Sequence, residues 1–527
     1  MITATIFLSL ALASSQQQLT IGEHTFEYRV LDNGLRAYAI LDAGDTTSVF
    51  MAIAAGTRDE TSSTTGLAHL TEHAMFAGTA TTGPDEHEKT VVSWGGESNA
   101  FTRDDYTMYY DHNFAPEHLG KVLEMEADRL RSLSLAEKPV LHERHRLDIE
   151  EEHAYQPSEG RLQQLENAVY KSHPYRHGLR DKNGHTKAPQ LGVDRVKFFY
   201  DAYYHPNRTA LVVVGPADPT QTLDLIEKSF GGLKSQSVSN NHYFEPELSA
   251  SRSVEITSQL PRDRVVRCWL TPNISHADRA ALDVLAAMLQ RDEIAANVIV
   301  NVGVGGRIEQ DIFKIGWSVG ANDPAVIAKQ TARMLTKYKL GEADASVLAE
   351  VKDLLADVYA SQPMRSRPYF ALAGTLAWYA AHDLTAAMVG YQAAIEAVSV
   401  EDLARVCKTY LANKKCVTVT FKGTGEEVKP LPESTQDLQA AASSAVETGD
   451  YPRALEAYTL LLAKLKDPMN QIINYAERGS IYLEMKNYDA AIADFEAGLT
   501  HFDYPAVADM RDNAIAQKKR AMRGIIE

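Results

Sequence analysis

Two histidines four residues apart with a glutamate between them, His69-Leu70-Thr71-Glu72-His73, constrain this chain more than any other feature. On a helix, positions i and i+4 share one face, so both imidazoles can reach a single metal ion. Glu72 stands three residues after His69 and one before His73, beside that face. There it can hydrogen-bond a water on the metal without being a ligand itself. Zinc brings the pKa of such a water towards neutrality, and a carboxylate can then take its proton as the oxygen attacks a carbonyl. The order H-x-x-E-H inverts the commoner H-E-x-x-H. Five positions with three fixed also recur by chance, and two histidines on a solvated helix would carry no chemistry. The surrounding sequence has to decide.

A chain of 527 residues is too long for one ordinary domain, and two to four units are expected. From 19 to 232 strands and amphipathic helices mix. Alternating runs at 26–30 and 35–40 flank Asp32-Asn33-Gly34, a hairpin signal, and 48–54 reads as a buried strand. A helix begins near Gly66, apolar residues recur at helical spacing over 118–133 and 142–152, and 209–215 closes the unit as a strand. Residues 233–250, rich in Ser, Asn and Gln, read as a linker. A second unit over 251–422 has strands near 265–270, 314–319 and 416–421 and helices near 280–289, 325–338 and 400–411. Its order resembles that of the first unit and hints at duplication.

After a second linker at 423–433, composition shifts to Ala-rich helix over 434–527. Tyr451-Pro452-Arg453-Ala454-Leu455 is echoed by Tyr488-Asp489-Ala490-Ala491-Ile492, and the tyrosines lie 37 positions apart. That spacing is close to the tetratricopeptide period plus a short insertion, so two helical repeats are expected. A pair is short of an independent solenoid and should pack on a neighbour or a partner. At the other end, residues 1–18 hold a short apolar run ending in Ala11-Leu12-Ala13, the size of a signal-peptide core, although no Lys or Arg precedes it. Export to the periplasm or outside the cell is the expectation, with a cytoplasmic location the alternative. No later stretch is long enough for a transmembrane segment. A net charge of −17 argues against nucleic acid as a partner. Cys268, Cys407 and Cys416 have no metal or disulfide spacing and suit small core positions.

The context of the motif is Ala55-Gly56-Thr57-Arg58-Asp59-Glu60, Gly66-Leu67-Ala68-His69, Met75-Phe76-Ala77-Gly78-Thr79, Gly95-Gly96-Glu97-Ser98-Asn99-Ala100-Phe101-Thr102 and Asp105-Tyr106-Thr107-Met108-Tyr109-Tyr110. Over about 100 residues this run resembles the pitrilysin family of zinc metallopeptidases, which includes insulin-degrading enzyme and mitochondrial processing peptidase. The resemblance implies an α+β chain: two related pitrilysin-type α/β sandwich domains, followed by the all-α helical-repeat domain. It implies Zn2+ bound by His69, His73 and a glutamate 77 residues beyond His73, which is Glu150 in the segment Glu143-Arg144-His145-Arg146-Leu147-Asp148-Ile149-Glu150. Glu143, on the same helix face, fits the family's second acidic residue, which supports the site from behind the ligands. Glu151 and Glu152 sit off that face. Asn99, Ala100 and Thr102 fit substrate-binding positions, and the strand-like stretch at 106–110 is the implied edge strand that pairs with a peptide backbone.

Family members close a chamber from two halves, each of two domains, and this chain carries one half. A related second subunit is therefore implied, a heterodimer more readily than a homodimer. The family's oxyanion-stabilising arginine and tyrosine, seven residues apart, are not found here, since Arg291 has Val298 at that spacing. The expected function is endopeptidase cleavage of short or unfolded peptide substrates, with Glu72 as general base. The alternative is a non-catalytic scaffold, or a dedicated processing subunit, that binds clients through the helical repeats.

Overall fold

The computed structural model describes residues 16–522, apart from 23, 155–156, 178–190, 238–241, 259–262, 296–299, 305, 319–323, 357–369, 424–430, 448–450, 485–487 and 501–504. The first domain runs β1 (Gln17–Ile21), β2 (His24–Val30), β3 (Arg36–Leu41), β4 (Thr47–Ile53), α1 (Leu67–Ala74), α2 (Glu86–Ser93), β5 (Glu97–Thr102) and β6 (Thr107–Phe114). It continues through α3 (Leu119–Arg131), α4 (Glu137–Ala154), α5 (Pro157–Val169), α6 (Val193–Tyr203), β7 (Thr209–Gly215) and α7 (Pro219–Phe230). The strands form one sheet in the order β1-β2-β3-β7-β4-β6-β5. β3 and β7 are parallel, and the other neighbours are antiparallel. The expected hairpin joins β2 to β3, with Gly34 at φ 82° in its turn. Strand β1 begins at Gln17, inside the segment assigned to the leader, so the domain starts two residues earlier than expected.

The second domain comprises β8 (Arg252–Thr257), β9 (Arg264–Thr271), α8 (Arg279–Ala295), β10 (Val300–Val304), β11 (Asp311–Ser318), α9 (Pro324–Lys339), α10 (Ala345–Ala356), α11 (Phe370–Ala381), α12 (Thr385–Ala397), α13 (Val400–Val406) and β12 (Val417–Lys422). Its sheet has the order β10-β11-β9-β12-β8. Read backwards, β8-β12-β9-β11-β10 repeats β3-β7-β4-β6-β5 of the first sheet strand for strand. In both, the opening strand pairs parallel with the closing one and a hairpin forms the far edge. The duplication that is faint in sequence is plain in topology. The helix after β4 is α1, and its counterpart after β9 is α8.

Both faces of the first sheet are apolar, and side chains alternate between them. On β4, Val49, Met51 and Ile53 join the core under α1, α3, α6 and α7, while Phe50 and Ala52 face the other way. That second face is covered by the second domain, through Leu372, Ala373, Leu376, Ala377 and Ala380 of α11 and Met388 of α12. The exchange is reciprocal. Leu165 and Val169 of α5, with Tyr170 and Tyr175, cover Val266, Cys268, Ile312 and Val419 on the second sheet. The segment expected to be a linker is pinned as well, because the Glu245 carboxylate accepts from the amides of Lys171, Ser172 and His173 at 2.7–2.9 Å. All three cysteines are free and buried, as expected.

Beyond these domains lie α14 (Thr435–Glu447), α15 (Tyr451–Lys464), α16 (Pro468–Glu484), α17 (Tyr488–Leu499) and α18 (Pro505–Met522), packed as successive neighbours. Gly479 of α16 lets the Phe495 ring of α17 approach so closely that a Cβ would meet it at 2.7 Å. Their two apolar clusters draw only on residues from Leu431 onward. No helix among the described residues is long and apolar enough to cross a membrane. Ending the chain after Glu433 should leave the thermal midpoint of the first two domains within about 2 °C of the full chain's, whereas a fall above about 5 °C would mean that the helices complete their core.

Candidate metal centre

Helix α1 begins where the chain turns on Gly66, at φ 89°, a conformation open to glycine at little cost. The buried Glu60 carboxylate accepts from the amides of Gly66 (2.9 Å) and Ala68 (2.6 Å). It satisfies N–H groups that the first helical turn cannot satisfy itself. Burial pushes the Glu60 carboxyl well up, and the two amides oppose that shift. Eight residues are too few for a helix to persist on propensity. Packing holds it: Leu67, Ala68, Leu70 and Ala74 are buried in the main core.

On this helix the His69 and His73 rings meet edge to face, with centroids 4.9 Å apart. One ligand atom from each of His69, Glu72 and His73 lies within 4.8 Å of the others. Glu72 and His73 are buried and His69 is half-buried. Glu143 of α4 brings Oε2 to 3.5 Å from His73 Nδ1. That oxygen is buried and makes no hydrogen bond among the described residues. Arg146, one turn further along α4, stands 3.3 Å from it and 3.2 Å from Asp85. A carboxylate facing Nδ1 favours the tautomer protonated there and leaves Nε2 for a metal. Two imidazoles with carboxylates beside them form a donor set that fits zinc. Glu150 falls two turns after Glu143 on α4, and its side chain lies outside the described residues.

Strand β5 approaches Glu72 from the other side. Thr102 Oγ1 donates to Glu72 Oε2 at 2.5 Å, so Thr102 holds the carboxylate instead of standing free for a ligand. The edge strand is β5 itself. The stretch 106–110, expected at the edge, runs into β6, which from Thr107 onward is paired on both sides, by β4 and β5. Two adjacent strands with similar alternation cannot be ordered by pattern alone. Ala100 shares Thr102's side of β5, while Asn99 alternates to the face of Phe101, is exposed, and accepts from the Ala100 amide at 2.8 Å. The structure therefore gathers His69, Glu72, His73, Glu143 and Thr102, with Ala100 on Thr102's side of β5 and the Asn99 side chain on the other face.

Several neighbours carry no mark in the motif. Tyr109 and Tyr204 share a hydrogen bond of 2.9 Å. Burial pushes both phenols up, and the nearby Glu72 adds to the shift, so both stay protonated. The fully buried Arg129 lies over the Tyr109 ring, 4.7 Å from its centroid, and binds both oxygens of Glu126. His87, Asp111 and Glu126 form a second group with clustered ligand atoms. Arg129 already occupies Glu126, and His87 lies 3.0 Å from Asp111. Burial opposes ionisation of Asp111, but His87 outweighs it and holds the carboxyl at about 2. With Glu126 held by the Arg129 guanidinium, that set does not fit a cation. In the second domain, Arg291 pairs with Glu350 at 2.6 Å, and Val298 lies outside the described residues.

Residues 38–182 match the domain described as insulinase (peptidase family M16), and residues 190–353 match the peptidase M16 inactive domain. The zinc protease PqqE of Helicobacter pylori is 26% identical over 444 residues, spanning 78% of this chain and 95% of that protein. A protease structure from Helicobacter pylori superposes with a TM-score of 0.65 at 22% identity, covering 78% of this chain and 100% of that one. The periplasmic protease PqqL of Escherichia coli gives 0.63 at 19% identity, covering 78% of this chain but 49% of that one. The chain spans about half the length of other curated relatives, core proteins of the ubiquinol–cytochrome-c reductase complex among them.

The helix cap yields a direct test. Glu60→Ala should lower the stability of the first domain by about 1–2 kcal/mol, seen as a thermal midpoint several degrees lower. An unchanged midpoint would mean that the two amides find other acceptors.

Proposed function

Because the chain belongs to peptidase family M16, we propose that it is a zinc-dependent endopeptidase acting on short or unfolded peptides. The observation that carries this reading is the Thr102–Glu72 hydrogen bond, which joins the edge strand to the carboxylate between the two histidines. His69, His73 and Glu150 would hold the ion, and Glu143 would fix His73 from behind. Zinc bound there would polarise the scissile carbonyl and make water acidic enough to lose a proton near neutral pH.

The remaining steps belong to the protein. An extended peptide adds to the open edge of β5, where main-chain hydrogen bonds impose little sequence preference. Glu72, steered by Thr102, takes the proton from water and returns it to the departing nitrogen. The protonated Tyr109 and Tyr204 keep further negative charge away from that carboxylate.

A site on one pair of domains is open on one side. The reading therefore includes a related second subunit, heterodimeric in preference to homodimeric, that supplies an arginine and a tyrosine to the oxyanion. The C-terminal helices, read as tetratricopeptide-like, would recruit that subunit or a client. The apolar run near the start of the sequence supports export to the periplasm or outside the cell.

Glu72→Gln should keep zinc and lose on the order of 10²–10⁴ in turnover; near-native turnover would remove Glu72 as the base. Glu150→Gln should lose most of the zinc, whereas Glu151→Gln and Glu152→Gln should retain it; the opposite pattern would reassign the third ligand. The isolated chain should turn over roughly 10²–10³ more slowly than the mixture with its partner. Full activity from a monomer would refute the shared site.

A further inference from the structure

We propose that Arg307 of the second domain is a positioning residue for the first domain's active site, clamping the β5–β6 turn so that Thr102 stays against Glu72. The proposal rests on the reading of Glu72 as the base. Its starting point is the duplicated topology. Residues 103–106 join β5 to β6, and Arg307 lies in the equivalent connection between β10 and β11. The two related turns meet across the domain boundary.

The contacts there are dense and directional. Arg307 donates to Asp104 Oδ2 from both Nε (2.9 Å) and Nη2 (2.6 Å), and Nη2 also reaches Glu166. Its guanidinium lies over the Tyr175 ring, 4.4 Å from the centroid. The next amide, of Ile308, donates to Asp105 Oδ2 at 3.2 Å. Burial pushes the Asp105 carboxyl up to about 7, against the pull of Arg58. The turn itself is tight, with the Arg103 amide on the Tyr106 carbonyl at 2.8 Å. Gly56 packs beneath it, where a Cβ would overlap the carbonyl oxygens of Arg103 and Asp104.

The mechanical argument follows from the edge position of β5. A strand paired on one side only is held by its ladder and its ends. Asp104 is two residues from Thr102, so any slack in the turn reaches the hydroxyl that orients Glu72. A planar guanidinium stacked on a ring can fix the carboxylate from two atoms, which an ammonium cannot do. The second domain, which has no zinc motif of its own, thereby sets the geometry of the base.

The test uses the full chain with its partner and zinc. Arg307→Lys and Asp104→Asn should keep zinc stoichiometry and KM, lower kcat roughly tenfold to a hundredfold, and speed amide hydrogen exchange across 102–106. In a Thr102→Val background the same changes should cost less than about twofold further, since both act through one hydrogen bond. Multiplicative losses in the double variants, or exchange across 102–106 that stays at the wild-type rate, would overturn the clamp. Should wild-type protein bind zinc yet cleave nothing, the peptidase reading fails, while the exchange measurement still decides whether Arg307 holds the turn.

Discussion

A sheet with two apolar faces cannot be finished by one layer of helices, and everything else in this molecule follows from how the second face is covered. The central strands β4 and β7 are buried along their whole length because α11 and α12 arrive from the second domain. Each fully buried leucine or phenylalanine on such a face contributes about 1.5–3 kcal/mol relative to exposure. The reciprocal packing of α5 on the second sheet makes the arrangement a mutual clasp. Rigid backing of this kind is what lets an eight-residue helix present two imidazoles and a carboxylate with little freedom.

Around the metal centre the electrostatics are layered. Carboxylates stand at both ends of α1: Glu60 caps its start, and Glu143 backs His73 near its end. Further in, His87 lies against Asp111, and Arg129 pairs with Glu126. Glu72 itself is held by Thr102 and lies near two neutral phenols.

The parts legible in the sequence were those with local periodicity. The i, i+4 histidines fit a helix and the Asn33-Gly34 turn a hairpin, whereas Glu143 was reached through the family resemblance and not through any local pattern. Strand order was not legible, since β5 and β6 alternate alike and only pairing with β4 distinguishes the interior strand from the edge. Glu60, Tyr109, Tyr204, Arg129 and Arg307 were also hidden, because each reaches its partner through tertiary folding and belongs to no short pattern. Duplication sits between these cases: side chains have diverged, while strand order and direction, which depend on main-chain pairing, have persisted.

The parallel pairing of the first and last core strands has a consequence for biosynthesis. Strand β3 must wait for β7, some 170 residues later, and β8 must wait for β12 after a similar interval. Even a completed first sheet keeps one oily face uncovered until α11 and α12 have left the ribosome. A nascent chain of this design therefore carries an aggregation-prone surface through most of its translation. Expression strategies that cut between the two domains would make that transient hazard permanent.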